Sequence, residues 1–184
     1  MRIISGSARG RQLAAFGGKD IRPTPDRVRE ALFSILTSRF GSFNGLKVLE
    51  LFAGSGAQAL EAVSRGADSA ILVDSGQVAA KTIPENIKRC RLEAAVRFIP
   101  QDVFSVLPRL AQSGPFNLIL LDPPYNKNLI PQVIEKIESL NLLAESGIIC
   151  AESARDEELS DCGSLKLIES RVYGSSRIHL YQFA

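Results

Sequence analysis

The chain has 184 residues, 45% apolar and 23% charged, with a formal net charge of +2. That length fits a single folded unit that needs no disulfide or metal to hold its core, and no apolar run approaches the ~18 residues of a membrane span. Cys90, Cys150 and Cys162 sit in no CxxC spacing and His179 is the only histidine, so disulfide frameworks, metal sites and Ser-His-Asp chemistry lack material, and a metal-free cytoplasmic protein is expected.

Charge is unevenly spread. Residues 1–29 carry seven basic residues against two acids, a net +5, which leaves −3 for the rest. A basic arm of this kind is either a solvated tail or one end of a polyanion contact. Within it, Arg2–Ser5 and Arg11–Phe16 flank a Gly- and Ser-containing stretch and suggest a β-hairpin. Arg22-Pro23-Thr24-Pro25 is too proline-rich to be helical. Thr24 before Pro25 suits a helix N-cap followed by proline at the first helical position. Val28, Ala31, Leu32, Ile35 and Leu36 then repeat at helical spacing.

From residue 46 onward strands and helices alternate. Lys47–Phe52, Ala70–Asp74, Val96–Pro100, Asn117–Asp122 and Gly147–Glu152 read as strands, several of them continuously apolar, as in a parallel sheet covered on both faces. Helices are expected near 57–65, 76–91, 103–112 and 128–140, with Pro84 kinking or restarting the second. The pattern predicts an α/β, doubly wound, mostly parallel sheet. Leu165–Ser170 and Arg177–Phe183 leave no room for a helix between them and predict an antiparallel pair at one edge. Residues 1–45 thus form a basic N-terminal extension and 46–184 the main α/β unit.

The first strand runs into Gly54-Ser55-Gly56-Ala57-Gln58-Ala59, a G-x-G-x-x-A turn opening a helix. Glycines let the backbone approach a ligand, and the helix N-terminus supplies unpaired N–H groups. Asp74 follows 20 residues after Gly54, where a carboxylate can receive ribose hydroxyls. NAD and S-adenosylmethionine both satisfy this geometry. Glu50 lies just before the loop, placed to order it and to meet a cationic aminoacyl group. Asp102 can accept from an adenine amino group, cap the next helix, or do both, with Val103 packed nearby.

Asp122-Pro123-Pro124-Tyr125 ends the fourth strand and is the sharpest motif in the chain. An exocyclic amino group on a base is a poor nucleophile because its lone pair is delocalised. The Asp122 carboxylate and the Pro123 carbonyl can accept both N–H groups, favouring a pyramidal nitrogen, and Asp122 stabilises the positive charge that develops on it. Pro123 and Pro124 stiffen the turn, and Tyr125 can stack on a flat base flipped from a helix.

With these residues in place the chain resembles the bacterial RsmD family, through VLELFAGSG, the Asp74 strand end, DPPY, MRIISGSARGRQL, IRPTPDRVREALFSIL, EAVSRGA and YGSSRIHLYQ. The resemblance implies a Rossmann-like class I methyltransferase: a seven-stranded doubly wound sheet, with an antiparallel C-terminal strand and a small hairpin-and-helix extension. It implies methyl transfer from S-adenosylmethionine, leaving S-adenosylhomocysteine, to the N2 amino group of one guanine in 16S rRNA. The substrate would be a small ribosomal subunit or its assembly intermediate. N6-adenine methylation of DNA or RNA is the alternative that DPPY also serves. Cofactor contacts would come from Glu50, Phe52, Ala53, Gly54, Ser55, Gly56, Asp74, Asp102 and Val103, and catalysis from Asp122, Pro123, Pro124 and Tyr125. Arg2, Arg9, Arg11, Arg22 and Thr24 would meet the RNA. Glu50 stands where aspartate is more usual, Gln58-Ala59 where Leu-Gly is common, and Ser75-Gly76 where a charged pair is frequent. A monomer is expected, with no membrane partner.

Overall fold

A computed structural model describes residues 1–15, 26–125 and 127–184. After helix α1 (Asp26–Phe40), strands and helices alternate as β1 (Lys47–Leu51), α2 (Ala57–Ser64), β2 (Ser69–Val73), α3 (Gln77–Cys90), β3 (Val96–Ile99), α4 (Val103–Leu110), β4 (Phe116–Leu121) and α5 (Leu129–Ser139). Three strands finish the chain: β5 (Leu143–Ala154), β6 (Leu165–Tyr173) and β7 (Ser176–Phe183). Among the described residues they form one seven-stranded sheet in the order β3-β2-β1-β4-β5-β7-β6. The pairs β1–β2, β1–β4, β2–β3 and β4–β5 are parallel, whereas β7 runs antiparallel to both β5 and β6.

Continuous apolarity in β1 and β4 has the cause inferred from the sequence, because both faces are covered. Val48, Leu118, Leu120, Ile148 and Cys150 pack with α1, α2 and α3 on one face; Leu49, Leu51, Ile119, Leu121 and Ile149 pack with α4 and α5 on the other. The strand order reverses between β1 and β4, which places the ligand crevice outside their carboxyl ends. The α/β architecture and the antiparallel closing pair agree with expectation. No helix among the described residues is long and apolar enough to cross a membrane.

Three local readings change. α3 runs unbroken through Pro84; the proline removes only the bond its nitrogen would have given to the Ala80 carbonyl, and the buried side chains of Ala79, Ile83 and Ile87 hold the helix in line. β5 begins four residues before Gly147, a start concealed by the polar Glu145-Ser146, where the pairing with β4 shifts register. β6 and β7 extend to a two-residue turn at Gly174-Ser175, longer than the apolar runs alone indicated. The helix-start reading at Thr24 and Pro25, and Arg22 with it, lie outside the described residues.

Among the described residues the N-terminal hairpin reduces to one antiparallel bridge, Arg2↔Gln12, with the Ile3 and Leu13 N–H groups donating to the carbonyls of Arg11 and Met1. Its anchor is α2. The fully buried Glu61 carboxylate receives the N–H groups of Ile4 (2.7 Å) and Ser5 (2.9 Å), together with the Arg65 Nε–H (2.7 Å). One turn on, the Ser64 carbonyl accepts from the Ser7 N–H at 2.7 Å and the Ser64 Oγ from the Ala8 N–H at 2.9 Å. Gly6 lies against the same turn with φ +83°, and a Cβ there would fall 1.7 Å from the Ser64 carbonyl oxygen. Gly6→Ala should therefore lift the hairpin from α2 and cost about 2–4 kcal/mol in urea unfolding. The exposed neighbour substitution Ser7→Ala should stay within about 0.5 kcal/mol.

Candidate active site

The crevice at the ends of β1 and β4 is built from backbone amides and acids. Glycine is required at Gly56, the N-cap of α2: φ is +73°, and a Cβ would stand 2.6 Å from Leu72 Cδ2. Phe52 also adopts a left-handed conformation, φ 59°, where β1 turns into the loop. Asp74, one residue past β2, draws the loop in by accepting from the Gly54 N–H at 2.8 Å and the Gly76 N–H at 2.7 Å. Its two oxygens have further lone pairs for other donors. Asp102 is exposed and caps α4, accepting from the Ser105 N–H at 3.0 Å; Val103 behind it is buried.

Glu50 is 5% exposed, and its carboxylate accepts from the Ala59 N–H in the first turn of α2 at 2.9 Å. It therefore ties β1 to the helix that follows the loop, the ordering role expected of it. Burial pushes its carboxyl up to about 8, against the lowering effect of the Ala59 and Gln58 amides; Asp74 raises it further and Arg29 lowers it.

The strand register then places acids side by side. Glu50 pairs laterally with Leu120, and Leu120 with Cys150. One residue beyond the last β4–β5 pair, Leu121↔Ala151, come Asp122 and Glu152. By alternation Glu50, Asp122 and Glu152 all point to the face covered by α1–α3. Burial raises the Asp122 carboxyl well above its ordinary value, and the charges of Glu152 and Glu50 raise it further. Pro123 is buried, Pro124 is exposed, and the Tyr125 ring is 38% exposed. The structure thus brings Glu50, Phe52–Gly56, Asp74 and Asp122–Tyr125 to one end of the sheet, with Asp102 at the start of the helix after β3.

This electrostatic environment separates the two cofactor types left open by the glycine loop. A unit charge 4 Å from a carboxylate at an effective dielectric of 20 is worth about 4 kcal/mol. Crowded acids therefore favour a cationic ligand and disfavour a pyrophosphate. The residues fit S-adenosylmethionine, whose sulfonium and ammonium are both positive, better than NAD.

Glu152, Glu61, Asn86 and Arg29 were given no such role in the sequence. Asn86 is fully buried, accepts from the Ala14 N–H at 2.7 Å and donates to the Ser55 carbonyl at 2.9 Å, linking the N-terminal segment to the glycine loop. Arg29, counted above as part of a basic arm, is 1% exposed and donates to the Arg2 carbonyl. The only available signals were EAVSRGA, with polar residues inside an otherwise apolar helix, and the acid ending the Gly147–Glu152 run. His179 is buried, with Nε2 2.9 Å from the Ser153 Oγ; burial lowers it to about 4, which keeps it neutral in a structural place.

Glu50 makes stability depend on pH. Its folded value lies above the unfolded one, so the contribution is complete below about 4.5 and is lost as pH rises through about 8. The melting temperature should fall by roughly 10 °C between pH 5 and 8.5 from this group, and Glu50→Gln should flatten that slope in a calorimetric scan.

Comparison with known proteins identifies the family. The family model described as conserved hypothetical protein 95 matches residues 1–182. The ribosomal RNA small subunit methyltransferase D of Escherichia coli (strain K12) is 34% identical over 184 residues, covering 99% of this chain and 89% of that protein. Its namesake from Haemophilus influenzae is 31% identical, covering 99% and 93%. A hypothetical protein of Thermus thermophilus superposes with a TM-score of 0.84 at 32% identity, covering 99% of both chains. The chain belongs to the conserved hypothetical protein 95 family, which includes these small-subunit rRNA methyltransferases, as its RsmD-like motifs led us to expect.

Proposed function

We propose that this protein transfers a methyl group from S-adenosylmethionine to the N2 amino group of a guanine in 16S rRNA. The observation that carries the reading is the placement of Asp122-Pro123-Pro124-Tyr125 beside the glycine loop, within a cluster of acids that favours a cationic cofactor. When bound, the cofactor supplies an electrophilic methyl group. Glu50 and Asp74, with the Phe52–Gly56 loop, would hold it, and Asp102 and Val103 would border its adenine. Asp122 and the Pro123 carbonyl accept the two N–H groups of the target amine, so that its lone pair is released from the ring. The cofactor's positive charge counteracts the upward shift of Asp122 and favours the ionised carboxylate. As the amine becomes cationic, Asp122 stabilises it and can take the departing proton.

Substrate class follows from the relatives named for rRNA and from the N-terminal extension, residues 1–45. Arg2 and Arg9 are exposed and line one concavity of about 260 Å³ with Ile3, Ile4, Gly10 and Glu30. Two guanidinium groups around one hollow suit a phosphate of the RNA backbone. Arg11 donates to the Arg89 carbonyl at the end of α3 at 2.7 Å, which positions the hairpin and leaves the outer part of its guanidinium for RNA. Arg22 and Thr24, which the resemblance also assigns to RNA, lie outside the described residues. A cytoplasmic monomer acting on small subunits or their assembly intermediates is the matching context.

Methyl transfer from labelled S-adenosylmethionine tests this reading, with free 16S rRNA, undermethylated small subunits and duplex DNA as acceptors and nucleoside analysis of the product. N2-methylguanosine is expected from subunit or rRNA, with activity falling at least 10²-fold in Asp122→Ala. N6-methyladenine would replace the substrate assignment, and absence of transfer would overturn it. Arg2→Ala and Arg9→Ala should each weaken RNA binding and flatten its salt dependence by about one unit of slope, leaving cofactor affinity unchanged.

A further inference from the structure

Ser176, the last residue of the tail motif Tyr173-Gly174-Ser175-Ser176, and the buried acid Glu152 touch no reacting group in the chemistry above, yet both meet at Tyr125. The phenol Oη of Tyr125 donates to Glu152 Oε1 at 3.0 Å and lies 3.0 Å from Ser176 Oγ. We propose that Glu152 and Ser176 are positioning residues: they clamp the Tyr125 phenol and so fix the plane of the ring against which the target base stacks. This inference rests on the base-methylating reading of the site.

The geometry supports it from three sides. Tyr125 follows two prolines in a turn, and with 38% of its surface exposed it is one of the few exposed large apolar side chains among the described residues. An exposed aromatic side chain held only at its Cα samples several rotamers. Here the far end of the ring is tied as well. Both ties come from the sheet and not from loops. Glu152 pairs with Ile178 and Ala154 with Ser176, so Glu152 and Ser176 are diagonal neighbours on β5 and β7, on the same face of the sheet. Both are buried, at 5% and 9% exposure.

Protonation is consistent with the clamp. Burial, and then the charge of Glu152, push the Tyr125 phenol up, so it keeps its proton and remains a donor to the carboxylate. Ser176 is the first residue of β7, immediately after the tight Gly174-Ser175 turn. The length of the β6–β7 hairpin therefore sets where its hydroxyl stands. A ring held in place before the base arrives spares the ordering cost at binding. Glu152 also lies close enough to Asp122 to raise it, so an effect of Glu152 through Asp122 is the competing explanation. The two differ in whether the effect needs the Tyr125 hydroxyl.

A double-mutant cycle on the full chain separates them. Ser176→Ala, Glu152→Gln and Tyr125→Phe should each lower kcat/KM for the RNA roughly five- to tenfold. For Ser176→Ala and Tyr125→Phe the loss should fall mainly on KM, with cofactor affinity and Tm retained. In the Tyr125→Phe background, Ser176→Ala and Glu152→Gln should each add less than about twofold. Full additivity would overturn the clamp. A second measurement needs no RNA. Three tyrosines replaced by 3-fluorotyrosine give three ¹⁹F resonances, and Tyr125→Phe assigns the one of interest. That resonance should shift or broaden in both Ser176→Ala and Glu152→Gln. An unmoved resonance would overturn the clamp, whereas a wild-type protein that methylates no RNA would overturn the substrate reading and leave the ¹⁹F result to decide this one.

Discussion

Three carboxylates, Glu50, Asp122 and Glu152, crowd the carboxyl ends of three adjacent strands, and the rest of the site is arranged around the cost of keeping them there. Burial drives the Glu50 and Asp122 carboxyls toward their neutral forms, helped by the charge of Asp74 at Glu50 and by those of Glu152 and Glu50 at Asp122. Hydrogen-bond donors offset part of this cost: the first turn of α2 donates to Glu50, and the Tyr125 phenol donates to Glu152. A cationic ligand would offset the remainder. On the proposed reading the same acids would also serve the amine, which becomes positive as it is alkylated, so one electrostatic arrangement would both recruit the cofactor and favour the reaction.

The N-terminal extension is joined to this site by polar contacts and not by apolar packing alone. Glu61 and Ser64 hold the first eight residues against α2, the helix whose opening turn binds Glu50. Asn86 joins Ala14 to the Ser55 carbonyl in the glycine loop. The N-terminal extension is therefore bonded directly to the helix and loop that border the proposed cofactor site.

Much of this was legible in the sequence because it depends on local chemistry. Strands buried on both faces announce themselves by continuous apolar runs, and Gly56 by a turn that tolerates no side chain. DPPY stands out because its residue types match what the proposed methylation of an amino group needs. What was concealed depends on register. Glu152 is one acid at the end of an apolar strand, and only the pairing of β5 with β4 and β7 sets it beside Asp122 and Ser176. Arg29 was read as surface charge because helical periodicity does not distinguish a guanidinium buried against Glu61 from one in water. Pro84 was read as a kink or restart, whereas the packed face of α3 outweighs one lost hydrogen bond. Glu61 inside an apolar helix was a signal of burial with partners, but the two backbone amides it receives, of Ile4 and Ser5, lie more than fifty residues away.

The central claim is that a cationic cofactor is held beside buried acids, Glu50 and Asp122, whose carboxyls are driven toward the neutral form without it. Calorimetric titration of S-adenosylmethionine at pH 7, repeated in buffers of different ionisation enthalpy, counts the protons exchanged on binding. The account predicts net proton release, on the order of half a proton or more per site, reduced in Glu50→Gln and weaker for S-adenosylhomocysteine, which lacks the sulfonium charge. Binding with no proton release, and with equal behaviour of the charged and uncharged ligands, would contradict it.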